Sequence, residues 1–232
     1  MRQDWNGQMK RYGLMTIAAV ALATAGLVAM KPAMTTTAVA SETEKLPPSR
    51  VQVPEGLDVA TFATGCFWCT ESDFDKVDGV VTTTSGFIGG KERNPTYRQV
   101  VSGATGHTEA LQIFFDPKKV TYRQLVEHFW KTTDVLDLDG QFCDRGQSYR
   151  PEIFTHSAEQ ARIANASRDA LNASGKLDQE VKVPITPASE FTPAEDYHQD
   201  FYRKNPWHYH RYRRGCGRDA RLRELWGSDA KS

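Results

Sequence analysis

The 232-residue chain has no net charge, since 29 Lys and Arg are balanced by 29 Asp and Glu. Cysteine is scarce: Cys66, Cys69, Cys143 and Cys216 are the whole supply, and only the first two form a C-x-x-C. There is no internal repeat, and no low-complexity block beyond the first quarter of the chain. Each absence removes a class. A neutral chain is not a general binder of polyanions, so the basic-aromatic run "NPWHYHRYRR" reads as a solvated or packing segment and no nucleic-acid partner is expected. One C-x-x-C does not supply a four-cysteine zinc site, and His208 and His210 lack a second matched pair, so no metal is expected.

What is present begins with a leader pattern. Lys10 and Arg11 precede the apolar run "YGLMTIAAVALATAGLVAM", and small residues then lead to Ala38-Val39-Ala40 before Ser41. A basic start, an apolar middle and an A-x-A exit are the layout of a secretory signal over residues 1–40. The run is also long enough for a short membrane span, so an uncleaved anchor is the alternative. The expected location is exported, periplasmic or otherwise extracytoplasmic. The Pro-rich, polar residues 41–56 read as a linker and 57–232 as one domain with a single core. Without residues 1–40 the balance is 25 basic to 28 acidic residues, which is mildly acidic. In an exported chain four cysteines make a disulfide framework the default.

Hydrophobic patterning then suggests the order β-α-β-β-α-β followed by α-β-α. "VATFAT" reads as a strand broken by Gly65, "CFWCTESDFDKV" as a helix, and "GVVTTTSGFIGG" and "HTEALQIFFD" as strands. Thr121-x-x-Gln124 is a capping box for "YRQLVEHFWKTT". "YRPEIFT" and "VKVPIT" are further strands, Ser157 caps the helix between them, and "PAEDYHQDFYRKN" looks helical. The expected fold is α+β, a two-layer sandwich with a ferredoxin-like split βαβ core and a C-terminal extension. Cys66 falls where a strand ends and a helix begins. Unpaired N–H groups and partial positive charge there favour a thiolate, the nucleophilic form.

Several separated segments, G-C-F-W at Cys66, P-T-Y-R at Tyr97, G-H-T-E-A at Glu109, D-R-G-x-x-Y-R at Asp144 and Tyr149, and the later A-E-D-Y-H-Q with K-N-P, resemble the A type of peptide methionine sulfoxide reductase. The resemblance spans about Val59 to Trp207. It implies reduction of methionine S-sulfoxide, free or protein-bound, and repair of oxidised proteins. Cys66 would attack the sulfoxide sulfur and become a sulfenic acid. Phe67 and Trp68 would receive the methyl group, Glu109 would protonate the oxygen, Tyr97 and Tyr149 would hydrogen-bond it, and Asp144 would hold the site together. No cofactor is implied beyond a thioredoxin-like protein as electron donor. A second thiol would capture the sulfenic acid. Cys216 is favoured, because recycling cysteines of the family often sit in mobile, Gly-rich tails, and Gly215, Gly217, Arg213, Arg214 and Arg218 surround it. Cys69 and Cys143 are the alternatives, and a structural Cys143–Cys216 bridge competes with all three. Arg145 stands where the family often has His, adding positive charge beside Asp144. The rival readings are a C-x-x-C thiol-disulfide oxidoreductase and a disulfide-stapled binding domain.

Overall fold

The structure, a computed structural model, describes residues 51–231, so the leader pattern and most of the linker lie outside the described residues. Strand β1 (Asp58–Thr64) is followed by α1 (Phe67–Phe74), β2 (Val80–Ile88), α2 (Tyr97–Val101), β3 (Thr108–Phe115) and α3 (Tyr122–Lys131). A short hairpin, β4 (Gly140–Gln141) and β5 (Asp144–Arg145), precedes β6 (Pro151–Thr155), α4 (Ala158–Ala173), β7 (Ile185–Pro187) and β8 (Thr192–Pro193). Three helices close the chain: α5 (Phe201–Lys204), α6 (Pro206–Gly215) and α7 (Arg218–Trp226).

The main sheet has the order β7-β6-β1-β3-β2-β8, and its pairs are antiparallel except β6–β7. The four strands β6-β1-β3-β2 reproduce the split βαβ arrangement, with β3 between β1 and β2 and β1 between β3 and β6. The fold is therefore the expected α+β sandwich. Strand alternation decides what each face buries. Ala60, Phe62, Leu111, Ile113, Phe115 and Ile153 point to one face, where Phe74 of α1 and Leu125, Val126, Phe129 and Trp130 of α3 cover them. The Phe62 ring lies 5.3 Å from Phe74 and 5.5 Å from Phe129, and each such fully buried ring contributes about 1.5–3 kcal/mol. Ala63, Ile88, Ala110 and Phe154 point to the other face and meet Ala188 and Phe191.

Three local readings change. Thr96 and Gln99 form a second reciprocal capping box, so Tyr97 opens a short helix where the sequence reading had a loop. Within "PAEDYHQDFYRKN" only Phe201–Lys204 is helical, because Asp200 adopts a left-handed φ of 54° and interrupts it. The supposedly mobile tail around Cys216 is two helices, α6 and α7, which bury Arg213 and Arg218 against the core. Gly217, at φ 69°, is the hinge between them. The glycines serve a tight turn between packed helices, not a swinging arm.

Candidate active site

Cys66 is the N-cap residue of α1, one residue after β1 runs out. Gly65 makes that exit with φ 85°, and a Cβ there would come within 2.5 Å of the Gln141 side chain. Gln141 is itself buried and ties the hairpin down, accepting from the Asp134 N–H at 2.8 Å and donating to the Asp134 and Asp137 carbonyls. One close approach thus fixes both the turn that carries Cys66 and the hairpin that carries Cys143 and Asp144. The sequence reading passed over Gln141, and its only visible signal is its place between Gly140 and the Cys-Asp pair.

Alternation along β3 puts Glu109 on the helix-covered face, opposite Phe87. It is 1% exposed, and the Phe67 backbone N–H donates to its Oε2 at 2.9 Å. Burial raises its carboxyl well above the usual range; the Phe67 hydrogen bond opposes this, and the negative Asp144 and Cys69 reinforce it. Glu109 is thereby shifted towards its protonated form, beside the first turn of the Cys66 helix. Tyr97 and Tyr149 reach this place from α2 and from the turn before β6, and their phenols are hydrogen-bonded to each other. Burial pushes Tyr97 up to about 12 and Tyr149 higher still, so both remain neutral donors.

Phe67 is fully buried, its ring 5.9 Å from Phe87 and 4.9 Å from His198. Trp68 stacks flat on Phe201 at 3.7 Å, and its indole N–H donates to His198 Nδ1 at 3.1 Å. Asp144 accepts a hydrogen bond from the Tyr212 hydroxyl of α6, and burial raises its carboxyl. Tyr212 and His198 belong to the site and were missed: Tyr212 lies in α6, which had not been read as a helix, and His198 in a turn where a helix had been expected. Arg145 does not add charge at Asp144, since its guanidinium pairs with Asp137.

The four sulfurs fall into two pairs. Cys66 and Cys69 are free, buried and hydrogen-bonded to each other. Cys143 and Cys216 are joined in a disulfide with Cα atoms 4.8 Å apart. The reading that favoured Cys216 as the direct partner of Cys66 is thus not the arrangement found: in this state its sulfur is taken by Cys143, and the thiol beside Cys66 is Cys69. At Cys66 burial acts against the helix-terminus effect. Burial comes first among the causes that push Cys66 up, followed by Cys69, Glu109 and Asp144. Cys69 is moved down, by the hydrogen bond from Cys66 and by Arg218 and Arg213. Among the described residues, the one cluster with metal-ligand proximity is Cys143, Asp144 and Cys216, and two of its donors are spent on the disulfide.

A sequence model of the family described as peptide methionine sulfoxide reductase matches residues 58–230. The chain belongs to the peptide methionine sulfoxide reductase family. The reductase MsrA of Listeria monocytogenes (strain HCC23) is 51% identical over 172 residues, 74% of this chain and 97% of its own length. MsrA of Streptococcus agalactiae is 49% identical over 170 residues, covering 73% of this chain and 99% of that protein. Among solved structures, reduced Mxr1 of Saccharomyces cerevisiae aligns with a TM-score of 0.63 at 29% identity, over 70% of this chain and 93% of that one. Methionine sulfoxide reductase A of Corynebacterium diphtheriae aligns at 0.59 and 34% identity, over 66% and 76%. As a member of this reductase family the chain is an oxidoreductase that reduces methionine sulfoxide.

Proposed function

We propose that this reductase acts on methionine S-sulfoxide with Cys66 as nucleophile and Glu109 as general acid. The observation that carries the reading is the buried Glu109, whose carboxyl burial pushes up and which accepts a hydrogen bond at 2.9 Å from the residue that follows Cys66. A sulfoxide oxygen does not leave sulfur readily until it is protonated, and a buried carboxylic acid supplies that proton near neutral pH. Tyr97 and Tyr149 donate to the same oxygen without adding charge, and Phe67 with Trp68 receives the methyl group. Asp144, held by Tyr212, steadies the opposite wall. Cys66 sulfur is oxidised by two electrons, the substrate sulfur is reduced by two, and the oxygen passes to Cys66 as a sulfenic acid.

Cys69 then attacks the Cys66 sulfenic acid, forming the disulfide and releasing water. This choice rests on proximity: Cys69 is one helical turn from Cys66 and free. Cys143 is exposed, so the Cys143–Cys216 pair is where an external thiol reductant of thioredoxin type has access, and its dithiol form reduces Cys66–Cys69 by exchange. The leader pattern of residues 1–40 supports an extracytoplasmic location for this repair activity. The test is a single turnover without reductant, followed by disulfide mapping, beside an assay of Cys66→Ser on each sulfoxide epimer. A Cys66–Cys69 bridge in the wild type and no S-epimer turnover in the variant are expected. Normal turnover by Cys66→Ser overturns the reading.

A further inference from the structure

The C-terminal extension places two arginines deep inside the protein beside α1. Arg218 is 2% exposed, and its Nη atoms donate to the Thr64 carbonyl at 3.1 Å, the Thr64 hydroxyl at 3.1 Å and the Thr132 carbonyl at 2.7 Å. Its Nε lies 3.6 Å from Asp73 Oδ2 and has no hydrogen-bond partner. Arg213 Nη1 donates to Asp73 Oδ1 at 2.8 Å and to the Tyr209 hydroxyl at 2.9 Å, while its Nε donates to Asp219 at 2.9 Å. Two buried guanidinium groups therefore share one fully buried carboxylate, Asp73, and one that is part-exposed, Asp219.

Among the described residues, Asp219 is part-exposed and reaches Arg213 alone, and Arg218 has only Asp73 at 3.6 Å with its Nε unpartnered, so a further buried negative group beside the pair is favoured. Asp73 lies four residues after Cys69, one turn along the same face of α1. Cys69 packs against Tyr209, whose hydroxyl Arg213 contacts. The other ionisable groups facing Cys69 are Cys66 on α1, Glu109 on β3, Tyr209 and Tyr212 on α6, and the two arginines. Tyr209 and Tyr212 stay neutral because burial raises both, and Glu109 is shifted towards its protonated form. The Cys69 sulfur is what is left to carry the charge.

We propose that Arg213 and Arg218 are positioning residues that keep Cys69 as the thiolate of the Cys66–Cys69 pair, hydrogen-bonded to the Cys66 thiol and ready to close the disulfide once Cys66 is oxidised. The inference rests on the reading of Cys69 as resolving thiol. The steps balance. The proton of Cys66 moves to Cys69, the Cys66 thiolate attacks the sulfoxide sulfur, and Glu109 gives its proton to the oxygen. The hydroxyl passes to the Cys66 sulfur as the bond between Cys66 and the substrate sulfur breaks, so methionine leaves as the thioether and Cys66 becomes the sulfenic acid. Cys69 returns its proton to Glu109, and the Cys69 thiolate then attacks the sulfenic sulfur. The hydroxyl departs as water with the Glu109 proton.

The experiment titrates thiolate absorbance near 240 nm in the Cys66→Ser protein with Cys143–Cys216 closed, where Cys69 is the free thiol. The expected midpoint lies below that of an ordinary cysteine, about 8.5. Arg213→Gln in that background should raise it by about one pH unit, a tenfold loss of thiolate at a fixed pH, and Arg213→Lys should restore most of it. Asp219→Asn, at a part-exposed site the fold tolerates, should move it down, because Arg213 loses a counter-charge. Opposite signs separate electrostatics from simple loosening. An unmoved midpoint in folded Arg213→Gln, or in Asp219→Asn should Arg213→Gln not fold, overturns the arginine role. A mapped Cys66–Cys69 disulfide beside an unmoved midpoint sinks this inference alone, whereas absence of that disulfide after turnover sinks the reading beneath it.

Discussion

At the residue scale the reactive pair differs from what a helix terminus alone would produce. Cys66 is 7% exposed, and the loss of water around it comes first among the causes that raise its thiol against the helix-terminus effect, with Cys69 and Asp144 adding to it. Glu109 experiences the same loss of water, which shifts it towards its protonated form. Its folded pKa is raised, so the active acid is fully present below that value and is lost as pH rises through it. kcat/KM on the S-sulfoxide should therefore fall on an alkaline limb above neutrality. Glu109→Gln should lower kcat/KM by about 10²–10⁴ and abolish that limb. A variant within about twofold of wild type, with the limb intact, would show that another group supplies the proton.

At the element scale α1 is the most constrained helix of the described chain. Seven of its eight residues are buried, four of them acidic or hydroxylic groups that need partners. Asp73 finds Arg213 and Arg218. Glu71 is less well served: burial, with Asp75 and Asp200 near it, raises its carboxyl to about 7 despite a backbone hydrogen bond from Asp200. The unfolded chain gives up this proton near pH 4.5 and the folded protein near 7. The resulting cost is absent below 4.5 and grows as pH rises to about 7. Glu71→Gln should stabilise the protein at pH 8 by up to about 3 kcal/mol and leave it unchanged near pH 4, as read from urea midpoints at the two pH values. Equal effects at both would mean that folding does not raise the Glu71 carboxyl.

At the scale of the whole molecule the extension joins the catalytic end of the sheet to the chain's last helices. Tyr212, Arg213, Cys216 and Arg218 lie within two adjoining helices and reach Asp144, Asp73, Cys143 and Thr64. If the outer pair feeds the inner one, the fully reduced wild-type protein without added reductant should release two methionines per chain in a burst. The Cys143→Ser/Cys216→Ser double variant should release one, and its steady-state rate with a thioredoxin-type reductant should drop. Equal bursts would make the Cys143–Cys216 bridge a staple only, one that closes 73 residues of chain and stabilises by about 4 kcal/mol.

The order β-α-β-β-α-β could be read from strand alternation, Gly65 and the Thr121 capping box, because these are local features with a fixed period or geometry. The nucleophile's junction and the motif residues Tyr97, Glu109, Asp144 and Tyr149 could be found for the same reason: each sits in a short run whose residues are neighbours in sequence. Tertiary structure alone decided which sulfur faces which and which arginines are buried. It also decided that Tyr212 and His198 reach the site from roughly 130 residues or more along the chain. Charge in "YRRGCGRD" suggested a solvated, mobile tail; packing turned it inward, because a buried Asp73 requires a cation that no residue of α1 supplies. The sequence thus determined which chemistry is present. The protonation state of each sulfur, and so the order in which the sulfurs act, is set by burial and by charges that only the fold brings together.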